Sequence, residues 1–259
     1  MKNYLSFATN LAEKAGTMML KYFDTEIKKE WKEDNTPVTA ADIAVNKLVI
    51  EAILNEYPKH GILGEEESLL KENEYIWVCD PIDGTYPFSM GIPTFTFSLA
   101  LTHQGEPIVA VVYDPVLKRM YTAEKGKGAY KNGKQMQVSK ASSFDRQFFG
   151  VAGRKETVFD QEAFRKVLYA KGVIFSSLNC LTYAAVMIAT GAFIGSSYAN
   201  TKAWDCAAVK LLIEEAGGRT TDLYGNEQGY DGPIKGFVAS NGIVHNEIIE
   251  ILHKTQIKK

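Results

Sequence analysis

The sequence predicts an α/β protein with an α+β N-terminal half and an α/β C-terminal half. The chain has 259 residues, 46% of them hydrophobic, which is enough for a large buried core. Amphipathic helices and paired strands fill the first half, whereas strands and helices alternate in the second. Residues 139–145, between them, are polar and poor in hydrophobic side chains. We therefore predict two domains, residues 1–140 and 141–259.

The N-terminal half begins with two predicted helices. Apolar residues recur at helical spacing over residues 3–23, which indicates an amphipathic helix. A short strand is predicted within residues 26–31. Thr39 is a suitable N-cap for a second helix that continues to Tyr57, and Pro58 ends it.

The strands of this half follow. The run 75–79 is β-branched and aromatic, which predicts a buried strand. Residues 94–101 and 108–113 are predicted to pair. Two shorter strands, 120–123 and 128–130, precede the hairpin signal Asn132-Gly133.

The C-terminal half alternates between the two kinds of element. The predicted segments are strand 148–152, helix 158–170, strand 173–175, helix 181–190, strand 192–194, helix 205–216 and strand 219–221. Gly217-Gly218 is a typical C-terminal stop for the helix before it. A last helix is predicted over residues 246–253.

Charge and composition exclude several classes of protein. The formal net charge is −2, so bulk charge favours neither nucleic acid nor an anionic membrane as partner. No apolar run approaches the roughly 18 residues of a membrane-spanning helix, and no signal-peptide pattern follows Met1. The three cysteines are an odd number without metal-type spacing, which is typical of a reduced, cytoplasmic protein.

Three acidic stretches carry the chemistry that the sequence suggests. They are Gly64-Glu65-Glu66-Glu67, Asp80-Pro81-Ile82-Asp83-Gly84-Thr85 and Trp204-Asp205-Cys206-Ala207-Ala208. In the central one, Asp80 is expected at the end of the buried strand, and Pro81 and Gly84 indicate a turn. Either aspartate taken alone is equally compatible with a simple turn former.

Together, Glu65, Asp80, Asp83 and Asp205 would form an acidic cluster whose negative charges repel one another. At ~5 Å and an effective dielectric constant of about 20, each like-charged pair costs roughly 3 kcal/mol. Such a cluster either takes up protons or binds cations. Because all the candidate ligands are oxygen atoms, Mg²⁺ is the first expectation.

The central stretch resembles the signature of the inositol monophosphatase family. Gly64-Glu65-Glu66 precedes it and Trp204-Asp205-Cys206-Ala207-Ala208 follows it in the family's order, with Glu215-Ala216-Gly217-Gly218 behind. The likeness extends from Pro37 to Gly218 and so covers most of the chain. It implies a layered α-β-α-β-α sandwich of the inositol monophosphatase and fructose-1,6-bisphosphatase type, a homodimer and lithium sensitivity.

The resemblance also implies roles for individual residues. Two or three Mg²⁺ ions would be held by the side chains of Glu65, Asp80, Asp83 and Asp205 and by the backbone carbonyl of Ile82. Thr85, aided by Asp42, would hold a metal-bound water, so Thr85, Asp42 and Glu65 are the catalytic candidates. Glu66 would contact these ligands without binding the metal itself and would help to hold them in position.

The substrate pocket departs from the family pattern. Phosphate is expected at the amides of Gly84 and Thr85, with Asp205, Tyr198 and Asn179 also facing the substrate. The family usually has Gly, then Ser or Thr, then Ala-Ala where this chain has Asn179-Cys180-Leu181-Thr182. It also has an acid for the inositol hydroxyls where this chain has Tyr198-Ala199-Asn200. Selectivity for inositol is therefore not expected.

The sequence thus predicts a Mg²⁺-dependent phosphomonoesterase whose site lies between the two halves. The substrate is a small phosphorylated metabolite, such as inositol 1-phosphate or a sugar phosphate. Fructose 1,6-bisphosphate, histidinol phosphate and 3′-phosphoadenosine nucleotides are the rival substrates. A regulatory or binding protein that retains the fold is the non-enzymatic alternative. The histidines, which show no pairing, are predicted at the surface, and Cys79 and Cys206 as buried residues without a nucleophilic role.

Overall fold

The structure, a computed structural model, describes residues 3–23, 29–31, 37–69, 73–151 and 159–255. The helices are α1 Tyr4–Phe23, α2 Ala40–Glu56, α3 Thr85–Ser89, α4 Gln161–Ala170, α5 Leu181–Ala189, α6 Ala203–Glu215 and α7 His245–Lys254. The strands are β1 Lys29–Trp31, β2 Pro37–Thr39, β3 Gly61–Gly64, β4 Tyr75–Asp83, β5 Thr96–His103, β6 Glu106–Asp114, β7 Arg119–Glu124, β8 Ala129–Lys131, β9 Lys134–Gln135, β10 Phe148–Val151, β11 Ile174–Ser176, β12 Phe193–Tyr198, β13 Arg219–Thr221 and β14 Phe237–Ser240.

A seven-stranded sheet is built from the first half of the chain, in the order β3-β4-β5-β6-β7-β8-β9. Only β3 and β4 are parallel; the other neighbours form an antiparallel meander. Helices α1 and α2 cover one face through a buried cluster that includes Met19, Ile53 and Trp77. The apolar side of each amphipathic helix is thereby removed from water.

A five-stranded sheet is built from the second half, in the order β11-β10-β12-β14-β13. Strand β10 is parallel to both of its neighbours, whereas β14 is antiparallel to β12 and β13. Helices α4 and α7 cover its outer face. The division into two domains at residues 140 and 141 remains a prediction.

Helices α5 and α6 fill the space between the two sheets. Nine of the 13 residues of α6 are buried, as expected of a helix with protein on both sides. The order of layers is therefore α1 and α2, the first sheet, α5 and α6, the second sheet, then α4 and α7. This confirms the predicted α-β-α-β-α sandwich. None of the described helices is long and apolar enough to cross a membrane.

Several element boundaries differ from the sequence predictions. Strand β4 continues through Asp83 instead of ending at Cys79, and α6 begins at Ala203 instead of Asp205. Strand β14 was not predicted, because four residues are too few to show a period. The predicted residues 26–28, 152 and 158 lie outside the described residues.

The prediction that the histidines lie at the surface is wrong for two of them. His60 stacks on Tyr57 and Tyr75 and is 7% exposed. His245 is fully buried; its Nε2 lies 2.9 Å from the Thr221 hydroxyl and its Nδ1 lies 3.0 Å from the Ser240 hydroxyl. Each histidine has one partner nearby in the chain and one farther away: Tyr75 is 15 positions from His60, and Thr221 is 24 positions from His245.

The burial of His245 makes stability depend on pH. Burial and the nearby Arg219 lower its pKa from 6.5 to about 4. Between these values the unfolded chain binds the proton more readily, so this contribution is present above pH 6.5 and is lost as the pH falls toward 4. We expect a loss of about 3 kcal/mol across that window.

The measurement is the free energy of unfolding by urea at pH 7.5 and pH 4.5 for wild type and His245→Gln. Other titrating groups cancel in the difference between the two proteins. The advantage of wild type over the variant should shrink by about 2–3 kcal/mol at the lower pH. If the free energies of unfolding of the two proteins change equally with pH, His245 does not cause this pH dependence.

Candidate active site

The central acidic stretch lies at the end of β4, where the ladder to β5 is irregular. Asp80 pairs with Ser98 and Asp83 pairs with Thr96, so three steps along β4 match two along β5. The extra residue is a bulge, which changes which face the following side chains point to. Without it, residues three apart would point to opposite faces. The bulge lets Asp80 and Asp83 face the same side.

Glu65 is brought to this point by the parallel pairing of β3 with β4. Gly64 pairs with Cys79, and the Glu65 N–H donates to the Cys79 carbonyl at 3.2 Å. A Cβ on Gly64 would lie 2.4 Å from the Glu67 carbonyl oxygen. Only glycine therefore fits before Glu65 in this close turn. Glu66 follows on the same turn and is partly exposed.

Asp205 comes from the other half of the chain, at the N-terminus of α6. Its Oδ2 accepts from the Thr201 hydroxyl at 2.6 Å and from the Lys202 N–H at 2.8 Å. Asp205 is therefore a capping residue in the first turn of the helix and not its first residue. Because α6 lies between the sheets, its N-terminus can deliver this carboxylate to the end of β4.

The carboxylates converge on Asp80, which is 1% exposed. Burial, followed by the charges of Glu65, Asp83, Asp205 and Asp42, raises the pKa of Asp80 well above its usual range. Among the described residues, the charges acting most strongly on Asp80 are thus all carboxylates. Asp42 was expected to act with Thr85, and in the structure its charge also contributes to the raised pKa of Asp80.

These side chains suit a hard cation. Carboxylates and the Ile82 carbonyl are the oxygen donors that Mg²⁺ prefers. Within the described ranges, no three His, Cys, Asp or Glu side chains already surround one point at ligand distances. One oxygen of Asp80, Oδ1, instead accepts a hydrogen bond from the Ile82 N–H at 3.0 Å. The carboxylates are thus close enough for their charges to act on Asp80, but they do not enclose a common point, and one oxygen of Asp80 is held by its own turn.

Asp83 has a second role that the sequence did not indicate, because it holds the first turn of α5. Its Oδ2 accepts from the Thr182 N–H at 2.5 Å, the Thr182 hydroxyl at 2.6 Å and the Cys180 thiol at 3.2 Å. A carboxylate at this end of a helix also complements the helix dipole. Burial, then the charge of Asp83, raises the pKa of the Cys180 thiol well above its usual range.

Thr85 and Asp42 form the second part of the site. The Thr85 hydroxyl lies 3.0 Å from the Ile82 carbonyl oxygen and 3.3 Å from Oδ1 of Asp42. Asp42 is fully buried, and its Oδ2 accepts from the N–H and hydroxyl of Thr39. Since Thr85 has one proton and two acceptors close by, its lone pairs remain available to a water molecule.

The predicted substrate contacts lie in different environments. Gly84 is the left-handed residue before α3, a helix of only five residues. Asn179 is exposed and also has a positive φ of 52°. Tyr198 is 5% exposed and packs in the core between α5 and the second sheet. Burial, then the charge of Asp83, raises its pKa, so its hydroxyl stays protonated. The role of all three toward a substrate remains a prediction.

Comparisons with known proteins give the following similarities. The model of the inositol monophosphatase family matches residues 1–256. A histidinol-phosphatase from Chlorobaculum parvum is 34% identical over 250 residues, 95% of each chain. The Nus factor SuhB from Vibrio cholerae is 32% identical over 232 residues, 87% of each chain. The structure of an IMPase from Thermotoga maritima superimposes with a TM-score of 0.89 at 26% identity, covering 98% of each chain.

Proposed function

Because the chain belongs to the inositol monophosphatase family, we propose that this phosphomonoesterase hydrolyses a small phosphorylated metabolite with the help of Mg²⁺. The observation that carries the proposal is the convergence of carboxylates from both halves of the chain on the buried Asp80. So much negative charge at one buried point is costly unless cations or protons neutralise it.

The residues that would hold the cations are Glu65, Asp80, Asp83, Asp205 and the carbonyl of Ile82. When bound, Mg²⁺ would neutralise the phosphoryl oxygens, acidify the attacking water and stabilise the departing oxygen. The protein fixes these ligands on the β4 bulge, the turn after β3 and the N-terminus of α6. Two or three ions per site are proposed on the resemblance to the family.

Thr85 and Asp42 would orient the water that attacks phosphorus. A water that donates to the Thr85 hydroxyl oxygen turns a lone pair toward the substrate. The Thr85 proton then points to Asp42 or to the Ile82 carbonyl, both within 3.3 Å. The buried Asp42 carboxylate can in turn draw proton density through Thr85 as the water reacts.

The substrate is proposed to be something other than inositol 1-phosphate alone. Tyr198 stands where the family has an acid for the inositol hydroxyls, and its side chain is almost completely buried. The histidinol-phosphatase of C. parvum is similar over 95% of this chain. Histidinol phosphate therefore joins sugar bisphosphates, inositol 1-phosphate and 3′-phosphoadenosine 5′-phosphate as a candidate.

We expect inositol 1-phosphate to be no better than one substrate among several. Loss of a buried polar contact typically weakens discrimination by ~1–3 kcal/mol. The measurement is kcat/KM for phosphate release from these four classes of compound and from glycerol 2-phosphate. A preference for inositol 1-phosphate of more than about a hundredfold, near 3 kcal/mol, would contradict this expectation.

A regulatory function is the second candidate, because the similar SuhB protein of V. cholerae is named a Nus factor. Catalysis is supported by the charges of Glu65, Asp83 and Asp205, which act on Asp80, and by the Thr85 hydroxyl beside Asp42. Absence of phosphate release from every compound in the panel, with Mg²⁺ present, would favour the regulatory function instead.

The resemblance supports three further proposals: a homodimer, inhibition by Li⁺, and a cytoplasmic location. All three cysteines are free, which supports a reducing compartment.

A further inference from the structure

A second polar cluster lies beside the first turn of α5, away from the proposed cation ligands. It consists of Asp114, Arg119, Tyr121 and Tyr183. Asp114 and Tyr121 are fully buried, and Arg119 and Tyr183 are partly buried. One guanidinium nitrogen of Arg119 donates to the Tyr183 hydroxyl oxygen at 3.0 Å.

The direction of that bond leaves the Tyr183 proton for another acceptor. Asp114 Oδ1 accepts from the Leu117 N–H at 2.9 Å, whereas its buried Oδ2 has no partner among the described residues. Burial and then the charge of Asp114 raise the pKa of Tyr183, so the phenol keeps its proton. Arg119 on β7 is therefore bonded to Tyr183 on α5, and the charge of Asp114 on β6 acts on the same phenol.

The cluster lies at the same end of the sheet as the active site. Asp83 pairs with Thr96 on β5, and Asp114 pairs with Arg119 two strands further along. Phe97 follows Thr96 on β5 and pairs with Tyr113, the residue before Asp114 on β6. The two pairs therefore lie at neighbouring positions along the strands. Tyr183 directly follows Thr182, whose N–H and hydroxyl hold Asp83.

We propose that Arg119 and Tyr183 are positioning residues for the cation site, which act by fixing the first turn of α5 against the sheet so that Thr182 holds Asp83. This inference rests on the proposed function. Helix α5 has nine residues and no capping bond from its own N-cap side chain. A helix so short depends on outside contacts for its position. The Tyr183 hydroxyl supplies one such contact, and Asp83 and the Thr96 hydroxyl, which bonds the Thr182 hydroxyl, supply others.

The test removes the Tyr183 hydroxyl and measures cation binding without substrate. Tyr183→Phe is compared with Tyr130→Phe, a control on strand β8 whose hydroxyl donates to the Lys127 carbonyl at 3.0 Å. The readouts are the Mg²⁺ dissociation constant by calorimetry, the melting temperature in chelator, and kcat and KM. We expect Tyr183→Phe to weaken Mg²⁺ binding by about three- to tenfold, the scale of one hydrogen bond. Its KM should be unchanged. Tyr130→Phe should behave as wild type in every readout.

A second variant separates positioning from general destabilisation. Arg119→Met should weaken Mg²⁺ binding similarly, and the double variant should be no weaker than the worse single one, because the two residues act through one bond. An unchanged Mg²⁺ dissociation constant in Tyr183→Phe, whether or not the melting temperature falls, would overturn the inference while leaving the proposed function intact. A wild-type chain that binds no divalent cation would overturn both.

Discussion

Replacing Asp83 by Asn is expected to lower kcat on the order of a thousandfold, the scale of losing one preorganised charge interaction in a transition state. The amide oxygen of the variant can still accept from the Thr182 N–H, so α5 should keep its place. The other side-chain atom becomes an NH₂ donor that cannot bind a cation. The free energy of unfolding in chelator should stay the same or rise, because Asp83 is one of the charges that crowd Asp80.

The measurement is kcat at saturating Mg²⁺, with urea unfolding in chelator. Asp160→Asn is the matched control, because Asp160 also accepts from a helix N–H, that of Ala163 at 2.9 Å, and lies outside the acidic cluster. Asn is an equally good N-cap, so this variant should behave as wild type. If Asp83→Asn also turns over at the wild-type rate, Asp83 is only a turn and capping residue.

Replacing Gly84 by Ala is expected to lower the free energy of unfolding by about 2–4 kcal/mol, combining backbone strain with overpacking. Gly84 has a φ of +90°, and an added Cβ would lie 2.7 Å from the Thr94 carbonyl oxygen and 3.1 Å from Cβ of Cys180. Relief of these clashes must move the link between Asp83 and Thr85. We therefore also expect kcat to fall by at least about tenfold, as misplaced groups lose their alignment.

Gly91→Ala is the control for backbone strain alone. Gly91 has a similar φ of +72°, but nothing lies within 4 Å of the position that its Cβ would take. We expect this variant to lose only about 1–2 kcal/mol and to keep its kcat. Equal losses of stability and activity in the two variants would show that close packing around Gly84 does not matter.

The sequence predicted most of the helices and strands because these leave local patterns, whereas the order of the layers came from the resemblance to the family. Helical periodicity marked α1, and Thr39 marked the start of α2. The acidic stretch after a buried run marked the position where the charges of the other carboxylates act on Asp80, and its role as the active site remains a prediction. Where a short-range pattern exists, the structure follows it closely.

What the sequence could not predict depends on contacts between distant residues. The bond from Thr182 to Asp83 joins residues 99 positions apart. The bulge in β4 exists only in relation to β5, so Cys79 looked like the end of the strand. The buried His245 lies 2.9 Å from the hydroxyl of Thr221, which is 24 positions away in the chain. Such features follow from packing, and no local pattern encodes them.

The central claim is that the acidic cluster around Asp80 binds divalent cations that are essential for phosphate-ester hydrolysis. The most direct measurement is phosphate release by the full chain after exhaustive chelation, and again after Mg²⁺ is restored at constant ionic strength. We predict no detectable turnover in the chelated protein and full recovery with Mg²⁺. Full activity in the chelated protein would contradict the claim.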